Sequence, residues 1–175
     1  MSTSGAVPFQ VAEAAGESFE VFFRAHREPV ARTLALILND EPLGYEAADE
    51  AMIRAYRRWS VVSEYDNPAG WAYRVGLNWA RSWKRRLSVA SRKAPLLANF
   101  DHEQSVEDLA ADTDLARALS TLSEEHRAVV VFRYYRDLPV AEIAELLEVP
   151  VGTVKSRLNR ALANLAEGLD LQEES

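Results

Sequence analysis

The sequence has no cysteine among its 175 residues. Disulfides, thiolate metal sites and a cysteine nucleophile are therefore excluded, and a reducing cytoplasm is the compartment that fits. Histidine is scarce: His26, His102 and His126 stand far apart, and none falls in a metal-ligand spacing such as HExxH. There is no glycine-rich phosphate loop and no G-x-S-x-G elbow. The adjacent acids Glu124 and Glu125 follow a helix-capping serine, where the helix dipole already accounts for them. No catalytic constellation remains, so the expectation is a protein that is not an enzyme, with no cofactor, no metal and no small-molecule substrate. Long apolar runs are also missing. The longest, at 34–38 and 128–132, are far shorter than a bilayer span. The first ten residues lack a basic flank and an apolar stretch, so neither a signal peptide nor membrane insertion is expected.

Charge is unevenly placed. The formal net charge is −7, which alone argues against nucleic acid as a partner. Residues 1–50 hold nine acids and three bases. Residues 71–93, by contrast, hold seven bases (Arg74, Arg81, Lys84, Arg85, Arg86, Arg92 and Lys93) and no acid. Residues 94–115 hold six acids and no base, and 150–166 hold Lys155, Arg157 and Arg160 with no acid. Local basic patches neutralise phosphates even on an acidic chain, although a solvated helix face explains any one charge run about as well.

Apolar spacing of three and four residues recurs throughout, and no stretch alternates as a strand does. The expected fold is all-α, in two small helical domains. Residues 1–16 read as a loose tail. Ser18 is placed to cap a helix ending at Leu38, and Pro29 is expected to kink or split it. A second helix is expected over 45–59. Asn67-Pro68 is a start signal, with asparagine as cap and proline in the first turn. The tryptophan-rich helix that follows is weakened by Gly76 and Asn78, so a break is expected there. Trp71, Trp79 and Trp83 read as core rather than as base-stacking platforms. Residues 93–112 lack a period and read as a flexible acidic linker, with helices over 113–120 and 123–135 beyond it.

Residues 139–165 have the pattern of a helix-turn-helix. Ile143, Leu146, Leu147, Val149, Val154, Leu158, Leu162 and Leu165 are expected to share one core. Ala141 and Ala144 permit a close helix crossing. Thr153, Lys155, Ser156, Asn159 and Arg160 are then left outward, with side chains suited to phosphates and to base edges in a major groove. An amphipathic hairpin with a polar face is the plainer alternative.

The segment LPVAEIAELLEVPVGTVKSRLNRAL resembles region 4.2 of the sigma-70 family, in its extracytoplasmic-function (group 4) form. ALSTLSEEHRAVVVFRYYRDL is similar to region 4.1. FEVFFRAHREPVARTLALIL resembles region 2.1, YEAADEAMIRAYRRW region 2.2, and NPAGWAYRVGLNWARSWKRR regions 2.3 and 2.4. Pro139 departs from the family, which carries a capping residue such as serine there. The resemblance implies a region 2 domain at 17–92, the linker at 93–112, a region 4 domain at 113–168 and a tail at 169–175. It also implies a promoter-specificity subunit of RNA polymerase. Region 4 would read the −35 element through Thr153, Lys155, Ser156, Asn159 and Arg160, and dock on the β flap. Region 2 would capture a −10 strand base with Asn78, lined by Tyr73, Arg74 and Val75. Arg81, Lys84, Arg85 and Arg86 would grip phosphates. Glu46, Asp49, Glu50, Arg54 and Arg57, with Met52 and Ile53 nearby, would face the β′ clamp helices. Promoter DNA and core RNA polymerase are the implied partners, and an anti-sigma factor is a third. Fully extended, the linker reaches about 66–72 Å, more than one duplex turn of about 34 Å, so the domains can occupy separate promoter elements. The family places this segment in the polymerase RNA channel, and a plain solvated tether fits its residues equally well. Two other classes remain open: a stand-alone helix-turn-helix regulator, which has no need of the basic 71–93 segment, and a protein-interaction module, which has no need of a basic recognition helix.

Overall fold

The structure, a computed structural model, describes residues 18–93 and 113–173. The expected tail at 1–16 lies outside the described residues, as do residues 17, 174 and 175 and all of the expected linker at 93–112 except Lys93, which ends α4. Among the described residues every regular element is helical. The first module comprises α1 (Phe19–Leu38), α2 (Glu41–Arg57), the single turn α3 (Trp59–Val62) and α4 (Pro68–Lys93). The second comprises α5 (Thr113–Ser120), α6 (Glu124–Val130) running into a π-helical turn at Val131–Tyr135, α7 (Val140–Leu147) and α8 (Val151–Glu173). The helix α8 thus continues through most of the stretch read as a C-terminal tail.

Local chemistry sets most boundaries. The Ser18 hydroxyl accepts from the Val21 N–H, and the Asn67 side-chain oxygen Oδ1 accepts from the Gly70 N–H at 2.7 Å. Asn39 closes α1 in the left-handed region, at φ 51°. Asp40 then caps α2 through the Leu43 N–H, so α2 starts four residues earlier than its apolar spacing predicts, with Pro42 in its first turn.

Two expected interruptions do not occur. Helix α1 runs through Pro29 without splitting. The carbonyl that loses its partner there belongs to Ala25, which is exposed to solvent, and the Thr33 hydroxyl donates to Pro29 O at 2.7 Å. Helix α4 is likewise continuous through Gly76 and Asn78. Gly76 serves close packing: a Cβ there would lie 2.6 Å from Leu34 Cδ1 and 3.0 Å from the Ala47 carbonyl oxygen. Its cost in helix propensity is accepted because α4 crosses α1 and α2 at that point.

Helices α1 and α2 form a hairpin that buries Leu34, Ile37, Leu43, Ala47, Ala51 and Met52, and α4 adds Ala72, Leu77 and Ala80. Met52 is therefore core and not part of an outer surface. In the second module Ile143, Leu146, Val154 and Leu158 are buried, while Leu147, Val149 and Leu165 pack partly against them. Leu162 is 41% exposed, and Ala161 takes the inward position instead, because 154, 158, 161 and 165 follow one helical stripe. Ala144 lies at the crossing, whereas Ala141 is exposed.

The two modules share one continuous core. Phe132 of the π turn meets Tyr73 of α4 edge-on at 5.5 Å between ring centres, and both side chains are buried. The sequence contains no local sign of this docking.

Candidate nucleic-acid interface

The helix-turn-helix is built as its residues suggest. Pro139 precedes α7 with extended backbone and gives no side-chain cap. Glu148 ends α7 at φ 56°, and the Val149 N–H returns to the Ala144 carbonyl at 3.0 Å. That turn aims α8 away from α7. Arg157 Nη2 donates to Glu125 Oε2 at 2.7 Å, pinning α8 to α6. Lys155, Ser156, Asn159 and Arg160 are exposed together on the N-terminal half of α8, and Thr153 is half-buried beside them. No acid lies between Val151 and Ala166 to neutralise this stripe.

Helix α4 separates its sequence-predicted residues onto two faces. Arg74, Asn78, Arg81 and Arg85 follow the i, i+4, i+7, i+11 rule and form one polar stripe, on which Asn78 is exposed. Tyr73 is only 4% exposed and points into the core between the modules, so it does not line a pocket with Asn78. Burial pushes its phenol pKa up, while Thr33 and the nearby Arg136 cation hold it back. The Arg136 guanidinium lies 5.7 Å from the Tyr73 ring centre, and its Nε, buried in the same place, has no hydrogen-bond partner. Val75 is half-buried against the core, as are Trp71, Trp79 and Trp83. Arg85 and Arg86 are exposed. Arg81 and Lys84 are not free: Arg81 Nε donates to Glu124 Oε1 at 2.8 Å, and Lys84 Nζ lies 3.6 Å from Glu124 Oε2. Arg74 lies 3.8 Å from Glu148. An open cleft of about 480 Å³ follows the same seam, between the 65–67 loop, Trp71 and Arg74 on one side and Leu138, Glu142 and Glu145 on the other.

Helix α2 presents a third surface. Glu46, Ile53, Arg54 and Arg57 are exposed along one stripe with Asp49 and Glu50. Asp49 accepts two bonds from Arg27, at 2.8 and 3.0 Å, and Glu50 pairs with Arg54 at 2.7 Å. The contact with Asp49 holds the Arg27 pKa above its ordinary value.

Two functional-looking residues escape sequence reasoning. Arg127 is 7% exposed, and its donors reach the carbonyls of Ile37 at 2.6 Å, Leu122 at 3.0 Å and Leu119 at 3.3 Å. The one available sign is a lone base at the head of the apolar run 128–132. Glu124 has a sufficient local reason as a first-turn acid, and that reason conceals its pairing across the seam.

Residues 112–165 match the family described as Sigma-70, region 4. The chain is 33% identical over 142 residues to the ECF RNA polymerase sigma factor SigL of Mycobacterium tuberculosis, covering 78% of this chain and 79% of that one. This chain belongs to the extracytoplasmic-function RNA polymerase sigma factors. It is also 30% identical over 155 residues to the RNA polymerase sigma-E factor of Streptomyces antibioticus, covering 89% of this chain and 86% of that protein. The fold of this ECF sigma factor matches two solved structures. One is the sigma factor RpoE of Bartonella quintana, solved with the anti-sigma factor NepR (TM-score 0.72, 16% identity, 87% of this chain and 96% of that one). The other is CnrH, solved with the cytosolic domain of CnrY (TM-score 0.59, 22% identity, 87% and 88% covered). As an ECF sigma factor the chain serves RNA polymerase in transcription from promoters. Among the described residues no helix is long and apolar enough to cross a membrane, and no three His, Asp or Glu side chains cluster to hold a metal ion.

Proposed function

We propose that this ECF sigma factor reads the −35 duplex with α8 and captures a −10 strand base on α4 once core RNA polymerase carries it. The observation that carries the reading is the acid-free, exposed stripe Lys155, Ser156, Asn159 and Arg160 on the second helix of a helix-turn-helix. Arginine and asparagine match guanine and adenine edges in the major groove, and Lys155 and Ser156 suit the flanking phosphates. On α4, the Asn78 amide offers both a donor and an acceptor to an unstacked base. Arg74, Arg81, Lys84, Arg85 and Arg86 lie near enough along α4 to hold the backbone on either side. Unstacking a base costs a few kcal/mol, recovered by stacking and hydrogen bonds in the protein. Binding alone thus drives opening, and the chain acts as a dissociable subunit and not as an enzyme. The α2 stripe of Glu46, Asp49, Glu50, Arg54 and Arg57, with Ile53 at its centre, is the docking face for the β′ clamp helices, and the second module docks on the β flap. An anti-sigma factor competes for these surfaces, and the site of action is the cytoplasm.

Transcription in vitro with core enzyme on a promoter library tests the reading. Labelled promoter DNA is bound with core present and not by the chain alone. Tight, specific binding by the free chain would instead establish a stand-alone helix-turn-helix regulator.

Two substitutions resolve the parts. Arg160→Ala is expected to weaken holoenzyme binding to promoters by about 1–3 kcal/mol, with the loss confined to one −35 base pair. Binding titrations on fragments varied only at −35 measure it, and an unchanged affinity removes Arg160 from the interface. Asn78→Ala is expected to slow strand opening, followed by permanganate reactivity of −10 thymines, with unchanged affinity for core enzyme. Loss of core binding would show that Asn78 belongs to a docking surface.

A further inference from the structure

A five-residue pattern occurs twice in the chain, as RRWSV at 57–61 and as RRLSV at 85–89. Two arginines shortly before a hydroxyl, with an apolar residue after it, make the charge pattern by which arginine-directed serine kinases select substrates. Both serines, Ser60 and Ser88, are exposed. Packing distinguishes the two. Beside Ser60, the Trp59 ring lies 4.8 Å from that of buried Phe22, Val62 is 1% exposed, and the Val62 N–H donates to Arg58 O at 2.9 Å. A kinase holds its substrate extended, so drawing out 57–61 would unpack the core of the first module. Around Ser88, by contrast, every residue from Arg85 to Ala90 is exposed. Among the described residues, Trp83 is the last α4 side chain packed against the core. The Ser88 hydroxyl donates to Arg85 O at 3.3 Å, a long bond within one helical turn. Such a helix end opens locally at little cost and leaves the core intact.

We propose that Ser88 is a phosphorylation site, read by an arginine-directed serine/threonine kinase through Arg85 and Arg86, and that its phosphate turns off the grip of α4 on promoter DNA. Ser88 Oγ attacks the γ-phosphorus of magnesium-bound ATP held by the kinase. The bond from that phosphorus to the bridging oxygen breaks, ADP leaves, and the hydroxyl proton passes to the kinase's catalytic aspartate. The product carries a charge of about −1.5 to −2 at neutral pH. It stands one turn from Lys84 and Arg85, at the i−4 and i−3 spacings that bring helical side chains together. Phosphate oxygens there engage a guanidinium through the same charge-assisted bonds that the DNA backbone uses, so these cations are neutralised within the helix. Residues 71–93 hold seven bases and no acid, so the new dianion meets no like charge along that stretch. The effect on DNA rests on the assignment of Arg85 and Arg86 to backbone phosphates, and the modification itself does not.

The whole chain is incubated with magnesium ATP and, as the arginine-directed probe, the catalytic subunit of cyclic-AMP-dependent protein kinase. Intact mass is expected to rise by one phosphate, and fragmentation to place it on Ser88. Ser88→Ala is expected to abolish uptake, and Ser60→Ala to leave it unchanged. No uptake, or uptake on Ser60 as fast as on Ser88, overturns the site. The phosphorylated chain is then assembled with core enzyme and titrated against promoter DNA. Its affinity for core is expected to hold. Affinity for DNA is expected to fall about tenfold at low salt, and the slope of log affinity against log salt to become shallower by about 1.5, the loss of about two phosphate contacts. The unmodified double variant Arg85→Ala, Arg86→Ala separates the two claims. Weak DNA binding by both it and the phosphorylated chain supports both. Weak binding by the variant alone overturns the switch. Parent-like binding by the variant overturns the assignment of Arg85 and Arg86 to DNA, while the mass measurement still decides the site.

Discussion

Arg127→Met is expected to remove about 2–3 kcal/mol of stability, seen as a lower denaturant midpoint with an unchanged slope. Methionine replaces the packed stem but none of the donors. The Ile37, Leu119 and Leu122 carbonyls then lose the N–H groups that reach them at 2.6, 3.3 and 3.0 Å. Ile37 lies in the last turn of α1, where carbonyls have no partner within the helix, and Leu119 is in the last turn of α5. The guanidinium thus sits on two helix C-termini, where the negative ends of the dipoles favour a cation. Burial pulls the other way and lowers the Arg127 pKa, with Glu124 partly restoring it. Relief of that desolvation on substitution keeps the expected loss well below the sum of three orphaned acceptors. Arg127→Lys retains a charge but not the fork, and falls between the two. A loss below about 0.5 kcal/mol, the size of an ordinary surface change, would mean that water replaces the guanidinium at all three carbonyls.

Gly44→Ala is expected to cost about 3 kcal/mol, read from thermal and denaturant unfolding. Helix propensity alone argues the opposite, since alanine is favoured over glycine by about 1 kcal/mol in a helix interior. Space decides. A Cβ on Gly44 would meet the Ala35 backbone nitrogen, with Ala35 Cα at 2.5 Å and its Cβ at 2.7 Å. Two of these are main-chain atoms of the facing helix and the third is the Cβ fixed to them, with no flexible end to swing aside, so α1 and α2 must part. Gly152→Ala is the control: a Cβ there meets nothing within 4 Å, and stability is expected to hold or to rise slightly. If both substitutions behaved alike, close approach at Gly44 would not be what holds the hairpin.

Features written in adjacent residues were legible in the sequence. Ser18, Asn67 and Ser123 cap the helices they precede, and the polar stripe of α8 lies where its period puts it. The continuity of α1 and α4 was not legible, because Pro29 and Gly76 read locally as breakers. Their tolerance depends on an exposed turn in one case and on Leu34 and Ala47 crossing at close range in the other. The exchange of Leu162 for Ala161 has a similar cause: residue size suggests leucine inward, while the stripe through Val154 and Leu158 selects the alanine. Contacts across the seam left little trace. Arg81 and Glu124 are 43 residues apart, and Arg127 and Ile37 are 90 apart. No pattern along the chain reports such pairings, and Glu124, the one acid among these residues, already had a sufficient explanation where it stood.

A cation matched by an internal carboxylate neutralises no phosphate and so displaces none of the ions condensed on DNA. Random chromosomal duplex attracts proteins chiefly through the entropy of the ions it sheds. On the reading proposed above, with Arg81 and Lys84 held by Glu124, that reward would shrink, and the free chain would drift past anonymous sequence instead of lingering on it.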